Sequence, residues 1–172
     1  MATFVPKSTL MRLLQDIKEI IKNPLESQGI YYKHDESDML KGTAMIIGPK
    51  DTPYENGFYF FDLVYPQNYP ISSPKVTFMT TDSKFRSHPN LYSNGKVCLS
   101  ILGTWSGPQW SAALSLNSVL LSIQSLFTKS PLQHEPGYEI KKIYKNKQLP
   151  HKYKNYDDIV NYANLYIATV KM

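Results

Sequence analysis

Cys98 is the only cysteine in 172 residues, and it follows His88, Pro89 and Asn90 in the run Ser-His-Pro-Asn-Leu-Tyr-Ser-Asn-Gly-Lys-Val-Cys. A thiolate is the best nucleophile a protein has near neutral pH. An amide N–H beside it can stabilise the oxyanion that forms when a carbonyl carbon is attacked. Between the two, Ser93-Asn94-Gly95 has the residues of a tight turn, because Asn and Gly tolerate positive φ. That turn predicts Asn90 carried back towards Cys98, which suits acyl transfer. His88 offers a second chemistry, a Cys–His pair with the imidazole as general base. A hydrolase of that kind also needs a third group to orient the imidazole, and none is identifiable. A lone cysteine is also commonly a small buried hydrophobe, and residue types alone leave these readings open.

Such a loop needs a scaffold. Leu10, Leu13, Leu14, Ile17, Ile20 and Ile21 recur at helical spacing and predict an amphipathic helix over 8–22, ended by Asn23-Pro24. Its other faces carry Lys7, Arg12, Lys18 and Lys22, a solvated polar surface as residue types go. Residues 30–32, 43–47, 58–65 and 75–80 predict strands. The third is apolar on nearly both faces and therefore central, and Val76 and Phe78 share one side of the fourth. Short turn-like connections such as Asn56-Gly57 predict an antiparallel meander rather than β-α-β units. Glu36 and Asp38 fall in a polar surface loop. Tyr69-Pro70-Ile71-Ser72-Ser73-Pro74 predicts a stiff loop, because two prolines fix φ and remove donors. Residues 81–97 show few apolar repeats and predict irregular chain, the kind of segment on which a scaffold displays its chemistry.

Downstream, Leu116, Val119, Leu120, Ile123, Leu126 and Phe127 predict a core helix over 114–127. Ser130-Pro131 breaks it. Residues 138–146 predict a short basic helix. Ile159, Tyr162, Ala163, Tyr166, Ile167 and Val170 predict a last amphipathic helix over 156–170, with Asp157 and Asp158 at its positive end and Lys171 at its negative end.

The length suits one domain with one core, and 42% apolar residues are enough to fill it. No apolar run approaches a membrane span, and the first residues lack the basic and apolar regions of a signal peptide. One cysteine cannot make an internal disulfide, which predicts a reducing compartment, cytoplasmic or nuclear or both. One Cys and four scattered His make no structural zinc site. The net charge of +5 raises nucleic-acid binding. The lysines are spread along the chain, with a partial cluster at 141–154 and no aromatic-basic motif. A basic face for acidic protein partners is the expectation instead.

His-Pro-Asn followed by Cys98-Leu99-Ser100-Ile101-Leu102 resembles the active site of ubiquitin-conjugating enzymes. The resemblance extends over Gly48-Pro49-Lys50-Asp51-Thr52-Pro53-Tyr54-Glu55-Asn56-Gly57, Tyr69-Pro70, Trp110-Ser111 and the Leu-rich helix, about residues 7–147 in the right order. It implies an α+β UBC fold: an N-terminal helix, a four-stranded antiparallel meander, the active-site loop, a central helix and C-terminal helices. The whole chain, 1–172, is then one catalytic domain with a C-terminal helical segment at 148–172. The resemblance implies that Cys98 accepts ubiquitin or a ubiquitin-like modifier as a thioester from an activating enzyme. Cys98 then passes it to a substrate lysine or a ligase, and no cofactor is bound. Asn90 steadies the oxyanion or the loop, and His88 and Pro89 are structural. Leu99, Ser100 and Ile101 line the channel for the modifier's tail. Glu135, with His134 as understudy, positions the attacking lysine.

Partner contacts are implied at Lys7 and Arg12 for the activating enzyme, at Ile71 for the ligase, and at Ser111 and Ala112. Here the family's adjacent prolines are Ser73-Pro74, its usual Phe after Tyr-Pro is Ile71, and its Pro after Trp-Ser is Ala112. The run Gly103-Thr104-Trp105-Ser106-Gly107-Pro108, about four residues longer than in most members, resembles the subgroup that includes larger enzymes able to carry more than one modifier. Trp105 reads as a loop anchor or as a core contact. Two alternatives stand beside this: a catalytically inactive ubiquitin-binding module on the same scaffold, and a cysteine hydrolase.

Overall fold

Helix α1, Lys7–Lys22, begins directly after Pro6 and ends at Asn23, whose backbone N–H bonds the Glu19 carbonyl. The computed structural model describes residues 5–136 and 151–170. The inward face of α1 is Thr9, Leu13, Asp16 and Ile20, and two of those four are polar. Burying them requires partners. Thr9 Oγ1 donates to the Gln67 carbonyl at 2.6 Å, and Asp16 accepts from Arg12 Nε at 3.0 Å, from Leu116 N–H at 3.4 Å and from the Tyr69 hydroxyl. This changes the expected stripe: Leu14 and Ile21, one residue past Leu13 and Ile20, are rotated off the contact face and stand 40% and 73% exposed.

The sheet is an antiparallel meander in the order β1 (Ile30–His34), β2 (Lys41–Ile47), β3 (Phe58–Val64), β4 (Lys75–Phe78). The register places Ile30 opposite Ile46, Ala44 opposite Phe61, Phe61 opposite Phe78 and Leu63 opposite Val76. These side chains form the inner face and are buried. β3 is an interior strand, as its apolar character predicts, although Phe58 and Val64 at its ends are exposed. The β2–β3 connection closes on Gly48, where an added Cβ would lie 1.7 Å from the Tyr54 carbonyl oxygen. Tyr69-Pro70 is a cis peptide.

Helix α2, Leu116–Gln124, is capped by a reciprocal pair in which Ser118 N–H donates to Ser115 Oγ and Ser115 N–H to Ser118 Oγ. The cap explains why the helix starts two residues later than the apolar pattern predicts. Leu126 and Phe127 are buried beyond its end, in a turn. Helix α3 is His151–Ala163 and passes into π-helical turns over Asn164–Val170. It starts five residues earlier than expected, so Asp157 and Asp158 lie in its middle and do not cap its positive end. Its buried face is Val160, Ala163, Ile167 and Ala168, while Ile159, Tyr162, Tyr166 and Val170 of the expected stripe are exposed. The four buried residues fall at i, i+3, i+7 and i+8, one regular helical stripe that shares only Ala163 and Ile167 with the expected one. The expected helix over 138–146 and Lys171 lie outside the described residues. Val160 and Ala168 join Leu13, Phe61 and Leu120 in one hydrophobic core. Among the described residues, no helix is long and apolar enough to cross a membrane.

Candidate active site

The tight turn between Asn90 and Cys98 forms as its residues predict. Gly95 has φ +87°, its N–H bonds the Tyr92 carbonyl at 3.0 Å, and Lys96 N–H bonds Asn94 Oδ1 at 3.1 Å. The hairpin lies along β4 through the bridge between Lys96 and Thr77, so a Cβ on Gly95 would also press on Thr77 and on the Phe78 carbonyl. The returning chain joins the two candidate groups. Cys98 N–H donates to the Asn90 carbonyl at 2.8 Å, and Asn90 Nδ2 donates to the Cys98 carbonyl at 2.8 Å. One amide hydrogen of Asn90 is thus spent on the loop, and the amide carries a second. Asn90 Oδ1 is buried and has no hydrogen-bond partner among the described residues. Cys98 itself is a free cysteine, 1% exposed.

His88 is fully buried and accepts the Asn90 N–H on Nδ1 at 2.8 Å. Burial drives its pKa well below the ordinary histidine value; His134 and Arg86 push the same way, against the Leu126 backbone. The neutral imidazole therefore carries its proton on Nε2 and has already committed its lone pair. It has no free site with which to take a proton from Cys98. The segment is held from below by the Tyr54 hydroxyl, which donates to the Ser87 carbonyl at 3.0 Å.

Glu135 is brought to the same loop from the short 3-10 turn Pro131–His134. Its Oε2 accepts from Arg86 Nη2 at 3.2 Å, and the same nitrogen donates to the Pro89 carbonyl. The His134 ring meets the His88 ring edge-on at 5.0 Å, and burial lowers the His134 pKa as well. Downstream of Cys98, Thr104 Oγ1 donates towards the Val97 carbonyl at 2.7 Å and accepts the Leu99 N–H at 2.9 Å, folding the longer loop back onto the nucleophile's strand. Leu99, Ser100 and Ile101 are half-buried beside it. Trp105 is 38% exposed and outside the core.

The candidate partner residues form a second cluster. Arg12 donates to the Ala112 carbonyl at 2.6 Å and to the Leu114 carbonyl, and its guanidinium lies 5.6 Å from the centre of the Tyr69 ring. That side chain is occupied within the fold, tying α1 to the loop before α2. Trp110 Nε1 donates to the Pro70 carbonyl at 2.7 Å, which holds Ser111 and Ala112 near Ile71. Ile71, 77% exposed, and Ser111, Ala112 and Lys7 all face solvent. Among the described residues, no three His, Cys, Asp or Glu side chains group as metal ligands.

A family model described as ubiquitin-conjugating enzyme matches residues 12–160. The chain belongs to the ubiquitin-conjugating enzyme family. It is 46% identical over 164 residues to Ubiquitin-conjugating enzyme E2 Z of Homo sapiens, covering 95% of this chain and 44% of that protein. It is 44% identical over 164 residues to the Danio rerio protein of the same name, covering 95% and 48%. It is 50% identical over 120 residues to Probable ubiquitin-conjugating enzyme protein 17 of Caenorhabditis elegans, covering 66% and 16%. The chain thus spans about half the length of the E2 Z relatives it matches. The N-terminal helix, four-stranded meander and later helices are the UBC fold of that family. Residue types did not reveal three side chains that contact the candidate site's loop: Arg86, Tyr92 and Thr104. An arginine and a tyrosine in an irregular loop carry no periodic signal, and Thr104 was legible only as part of the longer loop.

Proposed function

We propose that this chain accepts ubiquitin or a ubiquitin-like modifier as a thioester on Cys98 and passes it to a substrate lysine or a ligase. The observation that carries the reading is the reciprocal pair of bonds that seats Asn90 on Cys98. In charging, the Cys98 thiolate attacks the modifier's C-terminal carbonyl carbon. A new C–S bond forms as the bond to the activating enzyme's cysteine breaks, and that thiolate leaves. The exchange trades one thioester for another, so a general base on the protein is unnecessary, in keeping with a His88 that has none to offer. ATP is consumed by the activating enzyme.

In discharge, a lysine ammonium loses its proton and the neutral amine attacks. The C–N bond forms, the nitrogen gives up its second proton to solvent, the C–S bond breaks, and Cys98 leaves as thiolate. Glu135 receives or orients that proton, and desolvation near the site lowers the lysine's pKa. Asn90 fixes the loop with one amide hydrogen and offers the other to the oxyanion. Lys7, Ile71, Ser111 and Ala112 are the proposed partner surface, with Arg12 beneath it. The longer loop at 103–109 supports membership of the subgroup of larger conjugating enzymes, and the protein works in the cytoplasm, the nucleus or both.

The near-complete burial of Cys98 favours one second reading, an uncharged ubiquitin-binding module. One experiment separates them. The protein is mixed with ubiquitin, an activating enzyme and ATP and run on a gel without reductant. A band one modifier heavier, lost with thiol reductant and in Cys98→Ala, is expected. Absence of that band with several activating enzymes and modifiers, together with retained ubiquitin binding, refutes the carrier reading.

A further inference from the structure

One guanidinium joins the loop before Cys98 to the turn after α2. Arg86 Nη2 reaches both the Pro89 carbonyl and Glu135 Oε2, and Arg86 Cζ stands 4.1 Å from the centre of the Tyr92 ring. Pro89 is bonded to Asn90, whose amide holds the Cys98 carbonyl. A continuous path therefore runs from the Glu135 carboxylate through Arg86 to the nucleophile's own loop. Among the described residues, Arg86 is the hydrogen-bonding partner of the Glu135 side chain.

The pair contributes little to stability. Its side chains are 35% and 34% exposed, and water screens an ion pair this open. The same exposure leaves the carboxylate open to an incoming amine. One guanidinium nitrogen that donates to both a carbonyl and a carboxylate, with its group held over the Tyr92 ring, is a device for aiming. Tyr156 of α3 lies close enough to feel both charges, with burial the main influence on its hydroxyl, so the pair is also backed by the C-terminal helix.

We propose that Arg86 is a positioning residue for discharge: it holds the Glu135 carboxylate beside the Pro89–Asn90 edge of the Cys98 loop, where an acceptor lysine must lose its proton. This rests on the reading of Glu135 given above. Arg86 acts on the amine through Glu135 and does not touch it.

The test is single-turnover discharge. The protein is charged with ubiquitin, the activating enzyme is stopped, and decay of the thioester is followed on free lysine and, separately, on hydroxylamine, whose nitrogen is already neutral at pH 7. Rates are taken per charged molecule for Arg86→Gln, Arg86→Lys, Glu135→Gln and the Arg86→Gln/Glu135→Gln pair. Arg86→Gln is expected to slow lysine discharge about 10-fold while hydroxylamine discharge changes less than about 2-fold. Arg86→Lys recovers part of the loss, and the double variant is no slower than Glu135→Gln alone. Equal slowing on both amines marks a merely structural role and overturns the proposal, as does multiplication of the two single effects. Slow Glu135→Gln with normal Arg86→Gln overturns the Arg86 inference and leaves the Glu135 reading standing. Normal lysine discharge in both refutes the Glu135 reading and the inference with it. If Arg86→Gln does not charge, Arg86→Lys decides: a lysine-to-hydroxylamine ratio unchanged from the unsubstituted protein overturns the proposal.

Discussion

Replacing His88 by Asn should remove a specific part of the protein's pH dependence. The imidazole is fully buried, and its pKa is held well below 6.5 mainly by that burial. The groups facing it are the Tyr54 and His134 rings, the Asn90 N–H, Arg86 and the Leu126 backbone. The base has a depressed folded pKa, so between the folded and unfolded pKa values the unfolded chain binds a proton that the folded one does not. The contribution to stability is therefore full above the unfolded pKa and lost as pH falls below it. A group titrating near 6.5 only when unfolded removes about 1.4 kcal/mol between pH 7.5 and 5.5. For a chain of this size that is a fall in Tm of about 3–6 °C.

Urea unfolding followed by circular dichroism, at pH 7.5 and 5.5 in reductant, measures it. His34 has a lowered pKa and Asp157 a raised one, and each contributes to both proteins and cancels in the comparison; His134 packs on His88, so both proteins carry His134→Gln. The absolute stability of His88→Asn is not the readout, because losing a buried ring costs stability at every pH. The difference between the two pH values should shrink by about 1.4 kcal/mol in the variant. An unchanged difference means that His88 is charged in the folded protein, and the argument that its lone pair is spent on Asn90 fails with it.

Two further outcomes follow from side chains that make paired bonds. Asn90→Ala leaves the buried Cys98 carbonyl without its amide donor and should cost about 1–3 kcal/mol in urea unfolding; if Asn90 also serves the oxyanion, discharge to lysine falls by about 100-fold or more, whereas loop support alone gives the stability loss with a much smaller rate effect. Asn164→Ala removes the acceptor of the Tyr59 hydroxyl at 2.7 Å and the donor to the Glu55 carbonyl at 3.0 Å, so a loss of about 1–3 kcal/mol is expected in the same assay, and an unchanged midpoint would show that the C-terminal segment does not rest on these bonds.

The sheet was legible because β1 to β4 are set by local alternation and short turns, and each of these is written in a few neighbouring residues. The 93–95 turn was legible for the same reason. The helices were legible in existence but not in face. α1 buries Asp16 because Tyr69 and Leu116 from elsewhere in the chain, with Arg12 one turn earlier, supply its partners, and periodicity of apolar residues carries no trace of them. α3 is seated through Asn164, whose side chain bonds Tyr59 and Glu55 more than a hundred positions earlier, and apolar periodicity within the helix carries no trace of that contact. In the candidate site, the approach of Asn90 to Cys98 was readable from the turn between them, while residue types alone left their roles open. Arg86 was not, because its meaning comes from Glu135, 49 positions away and joined to it only by the fold.

The C-terminal segment is part of the site's foundation. Ala163, Asn164, Ile167 and Ala168 meet Tyr59, Phe85 and Ser87 around a small shared cavity, and Ser87 carries the carbonyl that Tyr54 holds. Gly57 has no side chain because the Asn164 amide occupies that space: an added Cβ would lie 1.9 Å from Asn164 Oδ1. The irregular chain that carries His88, Pro89 and Asn90 is thus braced on one side by β3 and the 48–57 loop and on the other by α3 and its π-helical end. The Arg86–Glu135 link spans the top of that braced segment. Loops held only by local turns shift easily, whereas one fixed from several elements keeps its amide and carbonyl groups in place, as the proposed transfer on Cys98 requires.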